Sequence, residues 1–112
     1  MTSPRMTTQM LTVLSALLSD PDADWYGFDL CKRVGMKPGT IYPIFARLLE
    51  AGWVERYWER IDPFEEGRPR RRLYRLTAVG APAARQALDN HLAALEARPA
   101  PVSRPVAKPR LA

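Results

Sequence analysis

The sequence predicts a mainly α-helical domain with one small β-hairpin. Three observations carry that prediction. Residues 26–50, YGFDLCKRVGMKPGTIYPIFARLLE, read as two helices broken at Val34–Gly35–Met36–Lys37 and restarted by Pro38–Gly39–Thr40, which is helix-turn-helix spacing. Residues 53–60 and 70–77 alternate as strands on either side of IDPFEEGRP, a stretch rich in turn residues. The segments before and after them carry apolar residues at helical spacing.

A chain of 112 residues suffices for one domain with a small core, and 46% hydrophobic with 26% charged residues is a globular composition. Seventeen Lys and Arg against 12 Asp and Glu leave a net charge of +5. That balance favours a polyanionic partner, nucleic acid ahead of an anionic membrane surface. A lone cysteine, Cys31, excludes an intramolecular disulfide and fits a reducing, cytoplasmic setting. The N-terminal stretch lacks the small-residue cleavage pattern of a secretory signal. No window of about 18 apolar residues is present, so no membrane span is expected.

The first helix is expected over residues 4–18. Met6, Met10, Val13, Leu14 and Leu17 share one face, widened by Leu11 and Leu18, and Ser3 before Pro4 reads as its cap. The stripe is wider than one small neighbour needs. Met6, Met10 and Leu14 are therefore candidates for meeting a second copy, the alternative being ordinary core.

Asp20–Asp24 is a breaker-rich loop, with Asp24 placed to cap a helix over residues 26–34. Phe28, Cys31 and Val34, with Leu30 beside them, give that helix its inward face, and Lys32 and Arg33 fall outward. Cys31 on the apolar face reads as an inert buried thiol. Gly35 ends the helix.

Pro38 opens the next helix, over residues 38–51. Ile41, Phe45, Leu48 and Leu49 point inward, opposite Thr40, Tyr42, Pro43 and Arg47. Pro43 removes one backbone hydrogen bond, so a local bend is expected. Gly39 lets the backbone approach a surface closely, and a helix N-terminus attracts phosphate. Lys37, Pro38, Gly39, Thr40, Tyr42 and Arg47 are thus candidate nucleic-acid contacts. Tyr42 fits a structural role equally well on spacing alone.

In the hairpin, residues 53–77, aromatics fall on both sides of the first strand, which leaves its inward face ambiguous. The second strand separates Arg72, Tyr74 and Leu76 from Arg71, Leu73 and Arg75. Five arginines lie between Arg68 and Arg75, and Arg68, Arg70, Arg71 and Arg72 offer a second phosphate or groove contact. An isolated hairpin is marginal, so this one must pack on the helices.

A last helix is expected over residues 78–97, with Thr77 as a candidate cap and regular helix starting near Pro82. Ala84, Leu88, Leu92 and Leu95 make a narrow stripe edged by Ala87 and His91, which suits a seam against another helix. Leu88, His91, Leu92 and Leu95 are candidates for a dimer interface, and packing on the first helix is the alternative. No cluster of ligands surrounds His91 in sequence, so no metal site and no cofactor are expected. Residues 98–112, with four prolines and four basic residues, read as a flexible basic tail that adds weak attraction to a phosphate backbone.

Tyr26–Gly27–Phe28–Asp29–Leu30, Pro38–Gly39–Thr40–Ile41–Tyr42–Pro43, Arg47–Leu48, Gly52, Gly67–Arg68–Pro69–Arg70 and Tyr74–Arg75–Leu76–Thr77 together resemble the PadR family of bacterial transcriptional regulators, over roughly residues 6–95. The resemblance implies a winged helix-turn-helix DNA-binding domain over residues 1–77 and a dimerisation helix over 78–97, as in the short subgroup with one C-terminal helix. It also implies repression at a palindromic operator on double-stranded DNA, bound by a homodimer. Lys37 stands where the family commonly has a small polar residue, and Ala78–Val79–Gly80 replaces its usual Pro–Glu–Gly. Some short members bind flat aromatic compounds through aromatic side chains of the dimer helix. This chain has no aromatic ring after Tyr74 beyond the imidazole of His91, so an effector of that kind is not expected. The alternative function is a winged-helix module for a protein or small-molecule partner with little DNA binding, against which the arginine-rich hairpin stands. No catalytic constellation is present.

Overall fold

The structure, a computed structural model, describes residues 3–97. Its elements are α1 (Thr8–Leu18), β1 (Trp25–Tyr26), α2 (Gly27–Val34), α3 (Pro38–Glu50), β2 (Val54–Trp58), α4 (Pro63–Glu66), β3 (Arg72–Leu76) and α5 (Gly80–Ala97). The strands form one antiparallel sheet in the order β1-β3-β2. The expected tail, residues 98–112, lies outside the described residues.

Helix α1 starts later than the Ser3–Pro4 signal suggested. The Thr7 hydroxyl accepts a hydrogen bond from the Met10 amide at 3.0 Å and supplies the cap that Ser3 was expected to give. Met10 and Leu14 are 0% exposed, packed with Val13 and Leu17 in the protomer's own core. Neither has surface left for a second copy, which corrects their placement at a dimer interface. Met6 lies half-buried at the edge of that core.

Asp24 does not cap α2, whose N-cap is Tyr26 with no side-chain bond. Trp25 and Tyr26 instead pair with Tyr74 and Leu73 as a third strand, too short to show a period of two in sequence. Asp24 accepts a hydrogen bond from the Tyr57 hydroxyl and lies 3.8 Å from the Arg75 guanidinium. The buried face of α2 is Gly27, Leu30 and Cys31, and Phe28 is 47% exposed where an inward position was expected. Gly27 explains the rotation: a Cβ there would stand 2.9 Å from the Tyr42 hydroxyl, so α2 meets α3 at this glycine and turns Phe28 outward.

Gly35 ends α2 in the left-handed region, at φ 69°, as its place in the turn required. Pro38 then opens α3. Ile41, Ile44, Phe45 and Leu48 are buried, with Ile44 in the role expected of Leu49, and the helix is continuous through Pro43. The Tyr74 ring stacks on Phe45 at 4.1 Å and 9°, pinning the sheet to α3. Trp53 and Val54 are both buried, which resolves the ambiguous strand: Trp53 precedes β2 and packs beside the start of α5.

Helix α5 begins at Gly80 and not near Pro82. The Thr77 hydroxyl accepts from the Gly80 amide at 2.8 Å and donates to the Gly52 carbonyl at 2.7 Å. Pro82 falls in the first turn, where a missing N–H costs nothing. The turn between β2 and β3 contains a further helical turn, α4, capped by Asp62 and closed by Gly67 at φ 66°. With α3 on one side and the β2–β3 hairpin beside it, the α2–α3 pair forms a winged helix-turn-helix.

Candidate nucleic-acid interface

Helix α3 presents its first turn to solvent because its inward stripe starts only at Ile41. Lys37, Pro38 and Gly39 are exposed, and Thr40 is half-buried. The Thr40 and Ile41 amides bond back to the Lys37 carbonyl, and the Lys37 side chain makes no cap. A Cβ on Gly39 would meet nothing within 4 Å, so this backbone is open to an approaching surface. Among the described residues, neither Lys37 nor Arg47 forms an ion pair, and both are exposed.

Tyr42 combines both roles left open for it. Its ring packs edge-on against Phe45 at 6.0 Å and over Gly27, while 41% of the residue remains exposed. Burial pushes the phenol above its ordinary value, with Tyr74, Cys31 and Tyr26 adding to the shift, so the hydroxyl stays a neutral donor.

On the wing each arginine has a different local anchor. Arg68 forms a two-pronged ion pair with Glu59, at 2.7 and 3.0 Å, so its guanidinium is not free as the sequence suggested. Arg70 donates from Nε to the Ile61 carbonyl at 2.9 Å. Arg71 lies over the Tyr26 ring at 4.7 Å and Arg72 over the Trp58 ring at 4.1 Å. Stacking on an aromatic face orients a guanidinium and leaves its edge donors available to phosphate.

Sequence reasoning missed Tyr26 and Glu59. Tyr26 stacks with Phe28 at 6.3 Å, Lys32 lies 5.4 Å above Phe28, and Arg71 covers Tyr26. A row of two stacked rings with a cation at each end, Lys32–Phe28–Tyr26–Arg71, thus runs from α2 to the wing. Its members are 45 positions apart at the extreme, Tyr26 to Arg71, and no local pattern announces such a pairing. Glu59 looked like one more exposed charge on an alternating strand.

Of the candidate dimer residues, Leu88 is half-buried, His91 is exposed, and Leu92 and Leu95 are 55% and 47% exposed. Ala84 alone among the stripe is buried, where α5 packs on α1. Cys31 is buried, and desolvation pushes its thiol up despite a backbone hydrogen bond that opposes the shift. Among the described residues no three His, Cys, Asp or Glu side chains are grouped to hold a metal, and no helix is long and apolar enough to cross a membrane.

A family model described as the transcriptional regulator PadR-like family matches residues 16–86. No curated protein matches the chain. Among solved structures, the PcaV transcriptional regulator from Streptomyces coelicolor is similar at 30% identity and a TM-score of 0.61, over 80% of this chain and 60% of that one. The same regulator in complex with its natural ligand gives 27% identity and a TM-score of 0.63, over 81% of this chain and 58% of that one. The chain therefore spans less than two thirds of that regulator. A transcriptional regulator homologue from Pyrococcus horikoshii OT3 shares the fold at 20% identity and a TM-score of 0.65, over 80% of this chain and 82% of that one.

Proposed function

The chain belongs to the PadR-like family of transcriptional regulators, DNA-binding proteins and not enzymes, and we propose that it is a repressor that binds a palindromic operator as a homodimer. The exposed start of α3 at Lys37–Gly39, where Lys37 forms no ion pair among the described residues, beside the ring-anchored arginines of the wing is the observation that carries this reading. Helix α3 enters the major groove from its N-terminal end. Thr40 and Tyr42 meet base edges, Lys37 and the Gly39 backbone meet phosphate, and Arg47 follows one turn later. Arg70, Arg71 and Arg72 hold the backbone or reach into the adjacent minor groove.

A single copy reads too few base pairs for a unique site, and the exposed Leu92 and Leu95 support pairing through α5, with Leu88, His91 and Met6 at the margin. Two-fold pairing places the half-sites about one DNA turn, ~34 Å, apart. The protein then works on the chromosome in the bacterial cytoplasm.

Selection of bound sequences from random duplex DNA, with binding measured across salt concentrations, tests this directly. Neutralising roughly six phosphates gives a slope of log K against log salt of about −5. An inverted repeat among the selected sequences is the expected result. A flat salt response, or no enrichment, would defeat the proposal.

A further inference from the structure

We propose that Glu59 is a positioning residue for DNA binding, and that Arg68 is its strut and not a phosphate contact. The proposal rests on the reading that the wing arginines grip DNA. The loop from Glu59 to Arg71 has little apolar material to hold it: Phe64 at its tip is 97% exposed. Its order comes from polar cross-links, and four of them meet at Glu59.

The carboxylate of Glu59 receives both terminal nitrogens of Arg68, at 2.7 and 3.0 Å, and the Arg71 amide at 3.4 Å. The Glu59 amide donates in turn to the Arg71 carbonyl at 2.8 Å. Arg68 extends the brace by donating to the Pro69 carbonyl at 3.3 Å, and its amide bonds to the Pro63 carbonyl at 3.3 Å. Arg70 closes the same loop through the Ile61 carbonyl. The Arg68 hydrogen bond, aided by its charge and by the Arg71 amide, holds the Glu59 carboxyl below the usual carboxylate range.

The backbone of Arg71 is thus tied on both sides to Glu59, while its guanidinium lies over Tyr26. A loop held in its binding shape before DNA arrives loses less conformational entropy on binding. Charge alone makes the opposite forecast. A carboxylate on a DNA-facing hairpin repels phosphate, and neutralising it should free Arg68 to make a new contact and tighten binding.

The test compares Glu59→Gln, Arg68→Ala, the double variant and Arg70→Ala/Arg71→Ala on a random-sequence duplex, by fluorescence anisotropy at fixed salt. We expect Glu59→Gln and Arg68→Ala each to weaken binding about fivefold, and the double variant to bind no worse than either single one, as for two halves of one device. The melting temperature and solution mass should stay those of the unaltered protein. Tighter binding by Glu59→Gln, additive losses in the double variant, or a melting temperature falling in step with affinity would each overturn the proposal. The Arg70→Ala/Arg71→Ala variant separates the two levels. If it binds as well as the unaltered chain, the role of the wing falls and the clasp falls with it; if it weakens while Glu59→Gln does not, the clasp alone is wrong.

Discussion

Replacing Gly80 with alanine sets two well-measured effects against each other. In a solvent-exposed helix, alanine is favoured over glycine by about 1 kcal/mol. At Gly80, however, the added Cβ would stand 1.8 Å from the Trp53 carbonyl oxygen, 2.5 Å from its carbon and 2.6 Å from its Cα. These are backbone atoms, which cannot rotate away. Restoring ordinary van der Waals separation needs a shift of roughly 1.5 Å between the start of α5 and the turn before β2. Such a shift breaks the 3.0 Å hydrogen bond from the Thr77 amide to the Trp53 carbonyl and strains the Thr77 hydroxyl bridge to Gly52 and Gly80. Overpacking at the upper end of its usual range and one lost hydrogen bond outweigh the propensity gain, for a net loss of about 3 kcal/mol. For a domain of this size the melting temperature should fall by about 15 °C. Thermal and urea unfolding followed by circular dichroism, at one fixed protein concentration because the proposed pairing would contribute to stability, measures both quantities. A variant as stable as the unaltered chain, or more so, would refute the close seating of α5 on Trp53.

Gly39→Ala is the complementary case. With open space around it, alanine should keep or raise stability by up to about 1 kcal/mol, yet lower DNA affinity by blocking close approach of the backbone, as unfolding and gel-shift measurements on one preparation can show. Leu92→Asp with Leu95→Asp should leave the protomer's helical signal intact and reduce the mass seen by sedimentation to that of one chain; an unchanged mass would remove α5 from the pairing. Cys31 should react with an aromatic disulfide reagent only at the rate at which the chain opens, because burial disfavours both access and the thiolate, and rapid labelling of the folded protein would contradict its position.

Much of the fold was legible in local sequence. The Gly35 and Pro38 signals bound the helix-turn-helix, the i, i+4 and i+7 rows found the cores of α1 and α3, and alternation found both strands of the hairpin. Each of these depends on a few neighbouring residues whose backbone geometry and side-chain direction are set by short-range sterics. The exposed segment Lys37–Gly39 was legible for the same reason: it lies before the apolar stripe begins at Ile41.

What escaped the sequence were pairings between distant residues. Met10 and Leu14 belong to the protomer's own core because α5 packs back on α1. Phe28 faces outward because Gly27 meets Tyr42, and α5 starts at Gly80 because that residue rests on Trp53. Arg68 is engaged because Glu59 lies across the hairpin from it, and Arg71 is oriented because Tyr26 joins the sheet as a third strand. A sequence specifies which side chains line up along one element. Which charge finds a partner, and which glycine must stay bare, is decided only when separate elements come within a few ångströms of each other.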